Sequence, residues 1–364
     1  MRNMRVVVDI NHPAHVHYFK NFIWEMREKG HEILITASHK DVATRLLRLY
    51  GLEYADLGDY GSSLLEKLIN IPIMDVKMYR AVKKFHPDIL LGFSSTRAAH
   101  VSKVLGVPAI IFDDTEHAVW EHRLYVPFAA AILTPNCFYK DLGEKQIRFN
   151  GYKELASLHP NRFTPNPAVL AELGLAEGDP FIIVRFVSWQ ASHDVGQHGI
   201  RDKVGLVKAL EEYGRVLITS EGALPEELQS YQIQVSPEKL HDLLYYATLY
   251  VGEGATTASE CAVLGTHAIY VNSLGLGYIA EEDDKYHLVS DFSRRACTDE
   301  TVLAEARRLL QNPDLRKEGK EKGEALVQDK IDVTAFMVWF IEHYPESVDM
   351  MKNHPETQQQ FRDQ

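Results

Sequence analysis

The chain has 364 residues, enough for two domains, and an ordinary globular composition of 45 % hydrophobic and 25 % charged residues. A net charge of −12 argues against general nucleic-acid binding and against attraction to an anionic membrane surface. The three cysteines, Cys137, Cys261 and Cys297, are too widely spaced for a disulfide framework or a zinc site, which points to a reducing cytoplasm.

Near the N-terminus "MRVVVDI" reads as a strand that turns polar at once, so the start is a first strand and not a signal peptide. No apolar run approaches the roughly 18 residues of a membrane span. "AHVHYFKNFIWEMREKG" is helical, with Val16, Phe19, Phe22, Ile23 and Met26 on one face and Gly30 as its stop. The strand "HEILITA", the helix "DVATRLLRLYG" and a loop from "LEYADLG" follow. "LLEKLINIPIMDVKMYRAVKKFHP" is helical and broken near Pro72. "DILLGF" is a strand, "STRAAHVSKVLG" a helix and "VPAIIFDD" a strand. Such alternation predicts parallel strands joined by helical crossovers.

The pattern loosens over residues 151–167, where Pro160, Pro165 and Pro167 mark a linker between a first domain, residues 1–150, and a second, residues 168–330. The second domain repeats the alternation: strand "FIIVRF", helix "DKVGLVKALEEYG", strand "RVLITS", helix "LPEELQSY", short strand "IQV", helix "PEKLHDLLYYA" and strand "LYVGE". The helix within residues 331–346 is strongly apolar and must pack somewhere. Residues 347–364 read as a frayed tail. The expected architecture is α/β: two doubly wound, Rossmann-like domains facing across a cleft, with the chemistry in loops after strands.

One such loop is "GEGATTASECAVLG". Gly254, Ala255 and Thr256 are small enough to let a phosphate reach the unpaired N–H groups of a helix start. Thr256 or Thr257 can cap that helix or donate a hydroxyl. Glu260, about a turn further on, suits the two hydroxyls of a ribose. The alternative is a capped helix whose Glu260 meets solvent or a lysine.

"GATTASECAVLG" resembles the donor-binding stretch of the peptidoglycan N-acetylglucosaminyltransferase, in which a glutamate holds the ribose of UDP and the turn faces the diphosphate. The resemblance gives Glu260 the ribose and Gly254, Ala255 and Thr257 the turn. The non-hydrolysing UDP-N-acetylglucosamine 2-epimerases carry a related stretch, and both belong to the GT-B superfamily. In the first loop, "NHPAHVHYF", His15-Val16 match the His-Val of the transferase, while Asn11, His12, Pro13 and Ala14 replace its glycines. Pro13 suits a first helical turn and biases His12 towards an extended conformation. His12, His15 and His17 leave three readings open: a general base or ligand contact, a metal site, or capping and packing.

"GFSSTRAAHVSKVLGVPAIIFDDTEHA" resembles an epimerase region in which two successive strands end in a polar turn and an acidic loop. Ser94 and Ser95 occupy the turn, and Arg97 follows. Asp113, Asp114, Glu116 and His117 occupy the loop, a density of titratable groups that favours acid–base work over a solvated acidic loop. In "VRFVSWQASHD", Arg185 can neutralise a diphosphate and Ser188 can donate to it. Trp189 can stack on a base or simply pack, and His193 and Asp194 are weaker candidates. Thr219 and Ser220 of "TSEG" can line a uracil or sugar pocket. His12, Ser94 and Ser95 are further candidate ligand contacts.

Together, "DINHPAHVHYFKN", "RFVSWQASHD" and "GEGATTASECAVLG" resemble the domain of unknown function family 354. The resemblance implies a GT-B fold and a terminal helix that crosses back onto the first domain. The leading expectation is a glycosyltransferase that takes a nucleotide-sugar donor, a UDP-sugar, in the second domain and an unidentified acceptor in the first, with His15 as base. No tightly bound cofactor or metal is expected, and no Gly-rich P-loop is present for ATP-driven phosphoryl transfer. The alternatives are a UDP-sugar epimerase using Asp113, Asp114 and Glu116, and a non-catalytic nucleotide-sugar binder. Neither nucleic acid nor an integral membrane segment enters this picture; a homodimer and a peripheral membrane contact are both compatible with it.

Overall fold

The computed structural model describes residues 3–39, 41–59, 61, 64–187, 199–233 and 235–362. The chain forms two compact units: residues 1–162 with 330–364, and residues 163–329.

In unit 1 the order is β1 (Arg5–Ile10), α1 (Pro13–Glu28), β2 (Glu32–Ala37), α2 (Asp41–Leu49), β3 (Ala55–Asp56), α3 (Leu64–Val82), β4 (Ile89–Phe93), α4 (Thr96–Leu105), β5 (Ala109–Phe112), α5 (Val119–Tyr125), β6 (Ala131–Pro135), β7 (Gln146–Phe149) and α6 (Leu155–Leu158). The seven strands run parallel in the order β3-β2-β1-β4-β5-β6-β7. Chain order reverses between β1 and β4. The central strands are continuous apolar runs, as burial on both faces requires: Val6, Val7, Val8, Ile89, Leu90, Leu91, Ile110 and Ile111 are buried.

Unit 2 contains α7 (Ala168–Glu172), β8 (Phe181–Phe186), α8 (Lys203–Leu210), β9 (Arg215–Ser220), α9 (Leu240–Tyr246), β10 (Leu249–Gly252), α10 (Ala255–Val263), β11 (Ala268–Tyr270), α11 (Gly277–Asp284), β12 (Val289–Asp291), α12 (Asp299–Leu310) and α13 (Leu315–Asp329). Its five parallel strands follow the order β12-β11-β10-β8-β9, and the reversal falls between β8 and β10. One core joins the sheet to its helices through Ile182, Val184, Val207, Ile218, Val251 and Ile269. Two parallel-sheet Rossmann-like domains make this a fold of GT-B type.

Several local expectations are corrected. Residues 151–159 are buried in unit 1 and are not a loose linker. Asn21 and Thr334 both donate to the Ala156 carbonyl, at 2.8 Å each, which fastens α6. Gly151 permits this packing, since an added Cβ there would lie 2.5 Å from Val333. The C-terminal segment is ordered: α14 (Val333–Glu342) packs on α1, and α15 (Glu346–Asn353) buries Met351. Phe361 is buried against Phe336 and Trp339, so residues 347–364 are not a frayed tail. α3 runs unbroken through Pro72, which lies on its exposed side where water can take the backbone bond that a proline gives up. "LPEELQSY" forms a 3-10 turn, Glu226–Tyr231, rather than an α-helix. The expected strand "IQV", residues 233–235, includes Gln234, which lies outside the described residues; just before it, Gln232 makes an isolated bridge to Ile218. Ala55–Asp56 adds an edge strand where a loop was expected.

Candidate functional site

Functional side chains gather where each sheet reverses its order, at the carboxyl ends of the strands, the usual ligand edge of doubly wound sheets. In unit 1 α1 begins at Pro13, and His12 is its N-cap, extended at φ −149° and ψ 149°. The His12 Nδ1 accepts from the Ala14 amide at 3.2 Å, so one ring nitrogen serves the helix start rather than a ligand. His15, one turn on, is buried with its ring 5.0 Å from that of Phe93. His17 instead turns to Tyr50, 3.5 Å from its hydroxyl, so the three histidines do not converge. Among the described residues no group of three or more His, Cys, Asp or Glu side chains is placed to hold a metal ion.

The buried Asp9, at the end of β1, sits under this loop. It accepts from Thr36 at 2.8 Å, from Ser95 at 2.6 Å and from the Arg97 Nε at 2.8 Å. The Ser95 hydroxyl also caps α4 by accepting from the Ala98 amide. Ser95 was a candidate ligand contact; its hydroxyl is committed to this network instead. Ser94, half-buried, adopts a left-handed φ of 45°.

The acidic loop after β5 is largely self-engaged. Asp113 accepts from the Tyr125 hydroxyl and from the Thr115 amide at 2.9 Å, and the His122 Nε2 lies 3.0 Å from its Oδ2. Asp114 accepts from the Thr115 hydroxyl at 2.9 Å and from Lys153 at 2.7 Å. Glu116 is buried and accepts from the Tyr139 amide at 3.4 Å, and His117 is half-buried.

Lys153, only 7 % exposed, lies between Asp114 and Glu154, at 2.7 and 3.2 Å. Burial pulls its ammonium down, but the two carboxylates outweigh that and hold it above the usual lysine range. Its Nζ is 5.5 Å from the centre of the Phe93 ring, which Tyr18 meets edge-on at 5.2 Å. Tyr18 is 1 % exposed, and its hydroxyl has no hydrogen-bond partner among the described residues. Burial, with Asp114 and Glu154 adding to it, keeps this phenol protonated well above its ordinary range. Phe93 is thus ringed by His15, Tyr18 and Lys153. Sequence reasoning missed the last two, together with Glu154 and the Asp9–Arg97 pair. The available signal was a Lys-Glu pair in the loop after a short strand, "QIRF".

In unit 2 the turn after β10 enters α10, whose N-cap is Gly254 with no side-chain cap. That corrects the capping role expected of Thr256 or Thr257: Thr257 is buried in the helix and Thr256 half-buried. Arg185, near the end of β8, lies close against Gly254, where an added Cβ would come within 3.2 Å of its Nε. Its guanidinium reaches the Thr219 hydroxyl at 3.5 Å and the Glu221 carboxylate at 2.8 Å. The Ser220 hydroxyl donates to the Gly222 carbonyl. Arg185, Thr219 and the 254–257 helix start are therefore together, as one phosphate-sized group would need. Ser188, Trp189, His193 and Asp194 fall outside the described residues. The buried Glu253 accepts from the amides of Val187 at 2.8 Å and Ile200 at 3.0 Å, a role the sequence did not suggest. Glu260 is buried, and among the described residues its ion-pair partner is a histidine rather than a lysine: its Oε1 lies 3.0 Å from the Nε2 of the buried His241, on α9.

Residues 4–341 match the family model DUF354, described as a protein of unknown function. The chain belongs to this family. The DUF354 chain is 26 % identical over 308 residues to the uncharacterized protein MJ0665 of Methanocaldococcus jannaschii, covering 79 % of the one and 88 % of the other. Among solved structures it is similar to the spinosyn forosaminyltransferase SpnP, with a TM-score of 0.63 and 14 % identity over 96 % of this chain and 100 % of that one. A UDP-GlcNAc 2-epimerase from Neisseria meningitidis bound to UDP-GlcNAc gives 0.62 and 12 %, over 89 % and 99 %. The MnaA–UDP co-structure of S. aureus gives 0.61 and 9 %, over 92 % and 97 %. At these identities the likeness shows the fold of the DUF354 chain, shared by transferases and epimerases alike.

Proposed function

We propose that the protein is a glycosyltransferase that takes a nucleotide-sugar, a UDP-sugar, as donor. The observation that carries this reading is the Arg185 guanidinium lying on Gly254 at the start of α10, with Thr219 beside it. The donor diphosphate binds the N–H groups of that helix start and Arg185, which exchanges its exposed partner Glu221 for the ligand. Glu260 takes the ribose. These fixed dipoles and the guanidinium also stabilise the diphosphate as it leaves. His15 in unit 1 takes the proton of the acceptor hydroxyl. Relatives of this fold solved with UDP or UDP-GlcNAc support UDP as the nucleotide.

The buried acids of unit 1 favour a second reading, a UDP-sugar epimerase. It is the weaker of the two, because Asp113 and Asp114 already accept from Tyr125, Thr115 and Lys153, which holds both carboxylates in charge-assisted contacts. Glu116 and His117 are the acid–base pair that reading would have to use.

Product analysis with radiolabelled UDP-sugars decides between them. Transfer that appears only with an acceptor supports the transferase; an epimer formed without acceptor overturns it; binding alone makes the protein a sensor. Within the transferase reading, His15→Ala should lower turnover by ~10²–10⁴ while UDP affinity by calorimetry stays within a few-fold. Full activity in that variant would remove His15 as base. Glu260→Ala should weaken UDP roughly ten- to a hundredfold and abolish the preference for UDP over its 2′-deoxy analogue.

A further inference from the structure

On the reading of Glu260 as the ribose contact, we infer that His241 is its positioning residue: the imidazole fixes one carboxylate oxygen and thereby sets the ribose preference of the nucleotide site. A carboxylate on a helix has several rotamers, and a buried one recognises a ligand hydroxyl only if a single rotamer is held before the ligand arrives. His241 supplies that hold. Its Nε2 is 3.0 Å from the Glu260 Oε1, and both side chains are buried. The contact commits Oε1 and leaves recognition mainly to Oε2.

The imidazole is itself well anchored. Phe163 meets the His241 ring edge-on at 6.2 Å. α9, which carries His241, is tied to the end of α10 in two further places. Lys320 donates to the Tyr245 carbonyl at 2.8 Å and to the Leu264 carbonyl at 2.7 Å. The Thr266 hydroxyl donates to the Leu244 carbonyl at 2.8 Å. Because Lys320 and Thr266 already join the two helices, the His241–Glu260 contact is not needed as a fastener. Its distinctive effect is on where the Glu260 carboxylate points.

The bland alternative is a buried polar pair that only stabilises the fold, and the two are separable by the ratio of affinities for UDP and 2′-deoxy-UDP. Calorimetry on the full chain should show His241→Leu binding UDP roughly tenfold more weakly, with 2′-deoxy-UDP affected much less, as for loss of one oriented contact to a charged group. Adding Glu260→Gln to His241→Leu should cost little more, because both changes remove the same recognition. His241→Gln, whose side-chain amide can still donate, should restore part of the preference; His241→Asn, too short to reach, should not. That Gln/Asn pair carries the test if the Leu variant fails to fold. A wild-type ribose preference that survives in His241→Leu or His241→Asn overturns the positioning role and leaves the nucleotide site standing. A wild-type chain that shows no UDP binding overturns the nucleotide reading and the role of His241 together.

Discussion

The two candidate sites differ in how their charges are already balanced. In unit 1 the cation is enclosed: Lys153 is 7 % exposed and held between Asp114 and Glu154, with Phe93 alongside. In unit 2 the Arg185 side chain is 23 % exposed, and its partner Glu221 is 45 % exposed on the surface. A buried cation and its acids form a fixed network that a ligand cannot take apart cheaply. A partly exposed guanidinium whose partner lies on the surface can change partners at small cost, because a surface ion pair is worth only about 0–1 kcal/mol. The first arrangement orients acid–base groups; the second waits for an anion. The same chemical change, loss of a positive charge, should therefore act on stability in one unit and on binding in the other.

The largest effect is expected at Lys153. Lys153→Met leaves Asp114 and Glu154 buried without their cation, and removal of one partner from such a site costs about 3–5 kcal/mol. Urea unfolding should show a lower midpoint with an unchanged slope if the loss is purely one of stability. A Lys153→Met protein as stable as the wild type would mean that the two acids are charge-compensated in some other way. The contrast between the units would then fail.

At Arg185 the split should be the reverse. Among the described residues, Arg185→Met takes a partner from the exposed Glu221 and a long 3.5 Å contact from the Thr219 hydroxyl, so stability should change by less than about 1 kcal/mol. UDP affinity should fall by roughly ten- to a hundredfold, as expected when charge-assisted hydrogen bonds of about 1.5–3 kcal/mol are lost. Calorimetry with UDP and thermal melts of the same sample measure both. Unaltered UDP affinity would move the diphosphate away from the start of α10. A large loss of stability would mean that Arg185 belongs, like Lys153, to the fixed part of the molecule.

The contrast also governs how much of each site was legible in the sequence. Unit 2 announces itself locally. Gly254, Ala255 and Glu260 share one strand–turn–helix segment, and Arg185 ends the strand that pairs with it. Unit 1 is assembled from four separate carboxyl ends. His15 and the 113–117 loop could be read because they follow obvious strands. Lys153 and Glu154 could not: they precede α6, a helix of four residues with no period to detect, in a stretch whose prolines suggested a linker. Tyr18 falls on the buried face of α1 and looks like any core aromatic. His241 is 19 residues from Glu260, on another helix, and only the folded chain brings them within 3.0 Å. The two doubly wound domains were readable from alternation alone. The ordered C-terminal segment was not, since α15 is mostly polar and the residues after it are fastened by Phe361 packing on Phe336 and Trp339 of α14.

The smallest expected effect has the opposite sign and concerns Tyr18. Its hydroxyl is buried without a partner among the described residues, beside the charges of Asp114 and Glu154. Those charges and burial keep it protonated, so it remains a donor. A buried polar group left unsatisfied costs about 1–3 kcal/mol, whereas an apolar group of the same shape avoids that penalty. Tyr18→Phe keeps the ring contacts with Phe93 and Phe112 and deletes only the hydroxyl. The variant should therefore be more stable by about 1 kcal/mol, read as a rise of roughly 2–4 °C in the melting temperature of unit 1. A fall in melting temperature would show that the hydroxyl is satisfied in solution, by a bound water for instance. A rise accompanied by lower turnover, with UDP affinity unchanged, would show that the hydroxyl is kept for a ligand group rather than for the fold, which is how a destabilising polar atom persists at a working site. A rise with turnover unchanged would remove Tyr18 from the site and leave His15 and Lys153 as the groups that face Phe93 there.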